Sequence, residues 1–279
     1  MKKNQIGIVI LNYKTYELTL NLVRNIKNVI KNSDYFIVVV DNASCNESDS
    51  VLAANANKLG FDYIHSSCNG GYAKGNNLGI KRAIELGAEY ILISNNDIIF
   101  INDDTLEKLK SSLDKNNRIG VVSPRLIDLN GKIDPPIYFK KPTLWDMTLG
   151  IYSFHKKRLK LDTEKSFPIY APRGSCMMCR TEDLKKINSL DERTFLYYEE
   201  PILAERYLSI NKISFFCGDT TVIHNHGKTI STSLTLKKTL ENIINSYEYY
   251  LRVYRRYNTL QTKLCILFRK ITFKFHRRK

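Results

Sequence analysis

The chain has 279 residues, 43% of them hydrophobic and 25% charged, enough to bury a substantial core and unlike a disordered composition. Its formal net charge of +15 is concentrated at the end, where residues 234–279 hold twelve Lys and Arg against two Glu. Nowhere do about 18 apolar residues run together, so no membrane span is expected, and the apolar run Ile6 to Leu11 is too short for a signal peptide.

Ile6 to Leu11 reads as a first strand and Glu17 to Lys31 as a helix, with Leu18, Leu22, Ile26 and Val29 on one face. Tyr35 to Val40 is a second apolar strand, ended by Asp41, Asn42, Ala43 and Ser44. A helix over Asn46 to Lys58 and a strand over Phe61 to Ile64 follow. Cys68 to Ile80 carries Gly70, Gly71 and Gly75 and leads into a helix through Leu86. Tyr90 to Ser94 is a fourth buried strand, stopped by Asn95, Asn96 and Asp97. This alternation predicts an α/β fold, Rossmann-like, with a mostly parallel central sheet flanked by helices. A helix over Asp103 to Asp114 and a strand over Ile119 to Pro124 come next. Arg125 to Pro168 reads as irregular; it holds Trp145 and four of the seven prolines, as a lid or substrate-binding segment does. Ile169 to Arg180 is a turn and then a strand, and a helix begins at Glu182. Tyr198 to Ser209 is a helix with Glu199 and Glu200 in its first turn. Ser214 to Phe216 and Thr221 to Ile223 are two further strands, the second running into His224 and then His226.

Two carboxylates, Asp41 and Asp97, therefore stand at carboxyl strand ends of one sheet with a glycine-rich loop between them. That is the layout of a nucleotide site. Asp97 can reach a hard cation, which can hold a diphosphate; Asn95 to Asp97 also make a tight turn readily, and both readings stand. The first strand–helix turn has no glycine, which excludes the dinucleotide fingerprint and argues against a sugar nucleotidyltransferase. Glu199 and Glu200 suit the dipole of a helix start, or one of them is a general base. The His224-x-His226 pair can supply a metal ligand. Cys176 and Cys179 form a lone C-x-x-C for which no metal or redox role is expected, and the scattered cysteines fit a reducing cytosol.

Taken in order, IVILNYK, VDNAS, NGGYAKGNNLGI, ISNND, RGSCMMCR, LDERTFLYYEEPILAERY and IHNHGKTIS resemble a family 2 glycosyltransferase with the GT-A fold, especially the bacterial rhamnosyltransferase-like branch. The likeness covers about Ile6 to Ser231. It implies an inverting transferase that moves a sugar, rhamnose in that branch, from a dTDP- or UDP-sugar to a saccharide or lipid-linked saccharide in surface polysaccharide synthesis. It implies that Asn12, Asp41, Asn42, Asn69, Gly70, Gly71, Lys74, Asn77, Asn96, Arg173 and Gly174 bind the nucleotide sugar. Asp97, with Asn95 at the first position of the D-x-D-like motif, and His224, with His226 as runner-up, would hold Mg2+ or Mn2+. Glu200 falls at the catalytic base, with Glu199 as its alternative. The domain expectation is a catalytic unit over 1–233, with a nucleotide-sugar half (1–124) and an acceptor half (125–233).

Residues 234–279 form the remaining unit. Leu236, Leu240, Ile243, Ile244, Tyr247, Leu251 and Tyr254 recur at helical spacing, and Leu260, Leu264, Leu267, Ile271 and Phe275 make a second stripe among Lys and Arg. Either this is a packed helix with a solvated basic face or an amphipathic helix lying on an anionic membrane. The second reading puts the protein in the cytoplasm, peripheral on the inner membrane face. The competing class, a non-catalytic nucleotide-sugar or nucleic-acid binder, rests on charge and seventeen tyrosines; because the basicity is terminal and no nucleic-acid motif appears, nucleic acid is not expected as a partner.

Overall fold

A computed structural model describes residues 5–225 and 236–275. Ile6–Asn12 (β1), Tyr35–Asp41 (β2), Asp62–His65 (β3) and Tyr90–Asn95 (β4) lie in the order β3-β2-β1-β4, all parallel. β1, the inner part of β2 and β4 are near-continuous apolar runs, buried on both faces because helices cover both sides. Of the connecting helices, Tyr16–Val29 (α1), Ser48–Leu59 (α2) and Thr105–Lys115 (α4) pack on one face, and Gly71–Glu85 (α3) packs on the other. α3 lies very close to β1. A Cβ at Gly79 would stand 2.4 Å from Val9 Cγ1, and one at Gly75 would stand 2.5 Å from Leu11 Cδ1. Gly75 thus serves helix–sheet contact rather than approach to a ligand.

The sheet continues β4-β9-β6-β10-β5. Its members are Ile98–Phe100 (β5), Ile119–Ile127 (β6), Cys176–Arg180 (β9) and Ile213–His224 (β10), with Ile133–Asp134 (β7) on β6 and Phe167–Ile169 (β8) on β10. β9 runs antiparallel to both β4 and β6, while β6 and β10 are parallel. The parallel part of the sheet is therefore confined to the first four strands, and the part beyond β4 is mixed. β10 is one 12-residue strand, not two; its register shifts between Cys217 and Thr221, a bulge the sequence presents as a gap. The stretch taken as irregular contains β7, β8 and a short helix, Ile151–Arg158 (α5). Thr181–Lys186 (α6) and Glu199–Ser209 (α7) join α3 on the second face. Cys176 and Cys179 lie in opposite core layers, and burial pushes both thiols up to about 12. They are inert packing residues.

The last segment is not a separate tail. Leu236–Tyr249 (α8), a π-helical turn at Tyr250–Tyr254 and Thr259–Phe275 (α9) pack on the start of α7. Ile243, Tyr247, Tyr250 and Leu251 share one core cluster with Tyr198, Ile202 and Met147. The stripe on α8 is thus a packed face, and the expected boundary at 233/234 does not divide the core. Among the described residues no helix is long and apolar enough to cross a membrane.

Candidate active site

Strand register builds the first part of the site. Asn12 pairs with Asp41, Asp41 with His65, and Leu11 with Asn95, so the carboxyl ends of four strands form one edge. Asp41 is fully buried there. Its Oδ1 accepts from Asn12 Nδ2 at 2.7 Å and from Ser44 Oγ at 2.6 Å, and its Oδ2 accepts from Ser44 N at 3.0 Å. Thr19 Oγ1 donates to Asn12 Oδ1 at 2.8 Å and accepts from Asn96 Nδ2 at 2.9 Å; Asn96 Nδ2 also reaches Thr15 Oγ1 at 2.8 Å. A buried polar chain therefore ties β2, β1, α1 and the end of β4 together, the arrangement that rigidifies when its members are satisfied.

Asn42 carries this order into the glycine loop. Its Nδ2 donates to Asn69 Oδ1 at 3.0 Å and to Gly71 O at 3.1 Å, and Asn69 Oδ1 accepts from Gly71 N at 3.0 Å. Gly71 has φ +84°, and a Cβ there would lie 2.0 Å from Phe195 O, so only glycine fits. The loop is thereby pressed against the segment that leads into α7.

The second part comes from the outermost strand pair. β4 ends at Asn95, the chain turns through Asn96 and Asp97, and β5 pairs antiparallel with β10 so that Ile98 faces His224. Asn225 N donates to Asp97 O at 2.9 Å, which closes the pair. Asp97 Oδ1 is buried, accepts no hydrogen bond, and lies 3.3 Å from His224 Nε2. Asn95–Asp97 form the expected turn, and that turn points the Asp97 carboxylate at His224. A buried carboxylate oxygen without a donor beside an imidazole nitrogen fits a hard divalent cation. Among the described residues no three His, Cys, Asp or Glu side chains converge; Asp97 and His224 are the two brought together here.

The third part is the turn into α7. Tyr197 and Tyr198 have φ +75° and +66°, left-handed conformations that cost about 1–2 kcal/mol each for such residues. Packing holds them there. The Tyr198 ring stacks on Tyr247 at 4.7 Å and 17° and on Tyr250 at 5.8 Å and 24°, and Ser246 Oγ donates to Leu196 O at 2.8 Å. Glu199 and Glu200 follow at once. Glu199 Oε1 is buried without a hydrogen-bond partner. Burial, and then the charge of Glu200, push the Glu199 carboxyl up to about 8. Glu200 Oε1 accepts from Gly174 N at 3.4 Å, while Ser175 O accepts from Asn95 N at 2.8 Å. The short loop 173–175 thus links Glu200 to the end of β4. Tyr72 OH donates to Gly174 O at 2.5 Å and fixes that loop from α3. Burial lowers the Arg173 guanidinium and the charge of Glu200 opposes the shift; Arg173 pairs with Asp134.

The family described as Glycosyl transferase family 2 matches residues 7–187. The chain belongs to this family. It is 30% identical over 223 residues to the low-salt glycan biosynthesis hexosyltransferase Agl10 of Haloferax volcanii, a match covering 80% of this chain and 67% of that protein. Among solved structures it is similar to S. aureus TarS 1-349 in complex with UDP-GlcNAc, with a TM-score of 0.58 and 17% identity over 94% of this chain and 70% of that one. It is also similar to the mannosyltransferase PcManGT of Pyrobaculum calidifontis in complex with GDP-Man and Mn2+, with a TM-score of 0.63 and 14% identity over 90% of this chain and 65% of that one. The fold is GT-A, and the protein is a glycosyltransferase acting on nucleotide sugars.

In this family 2 glycosyltransferase the expected site residues fall into three groups. Asn95, Asn96, Asp97, His224, Gly174, Glu199 and Glu200 are gathered around the end of β4 by the contacts above. Asn69, Gly70 and Gly71 form the loop at the start of α3, and Lys74 lies exposed one turn on, its side chain running past Gly70. Asn12, Asp41 and Asn42 are buried at the strand edge, where their side chains hold one another and the glycine loop in place. Two placements differ from expectation. Asn77 Nδ2 donates to Leu190 O at 2.9 Å and Glu192 Oε1 at 2.8 Å, so it brackets α3 to the segment before α7. Arg173 sits on the Glu200 side with Asp134, not along the glycine loop. His226 lies outside the described residues.

Sequence reasoning passed over Thr15, Thr19, Tyr72 and Asp134. The i, i+4 spacing of Thr15 and Thr19 was an available signal for two hydroxyls on one side of a helix start. Nothing local marks Asp134, which a two-residue strand brings to Arg173. A groove of about 930 Å³, lined by Lys74, Lys81, Arg193 and Arg206 among others, opens between α3 and α7; it shares only Lys74 and Asn77 with the expected donor residues.

Proposed function

We propose that the protein is an inverting, divalent-metal-dependent hexosyltransferase. It takes a sugar, with rhamnose among the candidates, from a dTDP- or UDP-sugar to a saccharide or lipid-linked saccharide acceptor in surface polysaccharide synthesis. It would work in the cytoplasm, at the inner face of the membrane. The observation that carries the reading is the linkage of Asp97–His224 at one end of the β4 turn to Glu200 at the other through residues 173–175. A bound Mg2+ or Mn2+ would neutralise the departing nucleoside diphosphate. Asp97 and His224 would hold that ion, with diphosphate oxygens completing the ligand set. The glycine loop, set by Asn42 and Asn69, lines the nucleotide side.

Glu200 is the base. Burial and the neighbouring Glu200 raise the Glu199 carboxyl, and Glu200, whose Oε1 accepts from Gly174 N, is the member assigned to take the acceptor hydroxyl's proton. Deprotonation of that hydroxyl as it attacks in line gives one displacement and inverted configuration at the anomeric carbon.

The test is transfer by purified protein from a panel of dTDP-, UDP- and GDP-sugars, with and without Mn2+, with the product anomer read by NMR. Inverted product and loss of transfer on chelation are expected. Retained configuration, or transfer indifferent to chelation, overturns the mechanism.

A further inference from the structure

Helix α9 has two apolar faces, and among the described residues only one is covered. Thr262 and Cys265 are buried, Ile266 and Phe273 are half-buried, and this face packs on the cluster around Tyr198 and Tyr247. On the opposite side Leu260, Leu264, Leu267 and Ile271 are 78%, 40%, 54% and 39% exposed. At about 100° per residue these four fall within a stripe about 60° wide and about 16 Å long. Lys263 and Lys270 are exposed along one border of it. Scattered exposed leucines need no explanation. Four aligned on the outer face of a helix whose inner face is already buried do.

Charge selects the occupant. Residues 234–279 carry twelve Lys and Arg against two Glu, and Arg252 and Arg256 are exposed just before α9. A second copy meeting the same face would set lysines against lysines. An aliphatic stripe offers nucleic acid no stacking platform. A bilayer with anionic headgroups accepts both the leucines and the lysines.

We propose that α9 lies flat on an anionic lipid surface, with Leu260, Leu264, Leu267 and Ile271 at the acyl boundary and Lys263 and Lys270 among the headgroups. The inner face of the same helix packs in the cluster with Tyr198, the residue before Glu199 and Glu200. Docking would therefore hold the turn bearing Glu199 and Glu200 one helix away from the surface that carries a lipid-linked saccharide. That last step rests on the transferase reading; the docking itself does not.

The test is co-sedimentation of the full chain with vesicles of phosphatidylcholine alone, and of two parts phosphatidylcholine to one part phosphatidylglycerol, beside donor-sugar hydrolysis measured without lipid. Binding to the anionic vesicles only is expected. Leu264→Glu with Leu267→Glu should lower the partition coefficient at least about tenfold, and Lys263→Glu with Lys270→Glu should remove the preference for anionic lipid. Both pairs should leave lipid-free hydrolysis and the circular dichroism spectrum at wild type, since these side chains are exposed. Absence of vesicle binding, equal binding by the leucine variant, or a wild-type dimer that the leucine variant converts to monomer would each overturn the proposal. Docking without turnover of any sugar nucleotide would instead sink the transferase mechanism and leave the docking intact.

Discussion

The proposed donor edge and the proposed catalytic turn are built by opposite means. At the donor edge, Asp41, Asn12, Thr19 and Asn96 are joined by short hydrogen bonds within the first hundred residues, where strand register and the first turn of α1 bring them together. At the catalytic turn, two tyrosines are held at positive φ, Glu199 has a buried oxygen without a partner, and the stabilising contacts come from Tyr247 and Tyr250, some fifty residues on. A nucleotide needs a rigid template, which a satisfied network supplies. A general base needs a carboxylate in a setting that an isolated chain would not choose, and tertiary packing has to impose that setting.

The largest way to sharpen this comparison is Glu200→Gln. It removes the proton acceptor while keeping shape, so kcat should fall by about 10²–10⁴ with the melting temperature unchanged. Glu199→Gln replaces a carboxyl that is already neutral near pH 7, and activity should stay within a few-fold of wild type. Reversed outcomes would exchange the two roles. Asp97→Ala comes next. Mn2+-dependent donor binding, read by calorimetry, should weaken by about 10–100-fold, while donor binding without metal should be little altered.

How much of this was legible in the sequence follows the same division. The edge was readable because apolar runs ending in Asp41 and in Asn95–Asp97 mark strand ends, and strand ends of one parallel sheet must lie together. The full burial of Asp41 was not readable, since it depends on Ser44 and Asn12 reaching this strand-end carboxylate. The glutamate pair was visible as two acids at a helix start. Its strain was not: local preference argues against left-handed tyrosines, and Tyr198 adopts that conformation only because α8 supplies a stacking partner. The same long-range packing is why residues 243–251 read as part of a tail when they belong to the core cluster around Tyr198. β10 was split in two because a bulge at Gly218 interrupts the alternation from which strands are read.

Breaking the clamp tests the second half of the comparison. Tyr247→Ala should cost about 3–5 kcal/mol of stability, seen as a lower urea midpoint, and should lower kcat with little change in donor KM, because the turn bearing Glu200 relaxes. Tyr247→Phe keeps the stacking ring and should restore kcat. On the donor side Asn12→Ala leaves Asp41 and Thr19 short of a partner and should cost about 1–3 kcal/mol, with donor KM rising more than kcat falls. If both substitutions moved kcat and KM alike, the two regions would not be separable in this way.

The last test concerns the proton on Glu199. The ordinary value of its carboxyl is 4.5, and burial beside Glu200 raises it to about 8 in the folded chain. Between those values the folded chain keeps a proton that the unfolded chain releases. Stability from this group is therefore complete below about pH 4.5 and declines as pH rises toward 8. Urea midpoints measured at several pH values across that window should fall with rising pH for the wild type, and the fall should be shallower in Glu199→Gln, which has no proton to lose. Identical slopes in the two proteins would mean that Glu199 is ionised in the folded state. The strained turn would then hold two negative charges, and the choice of Glu200 as the base would lose its electrostatic reason.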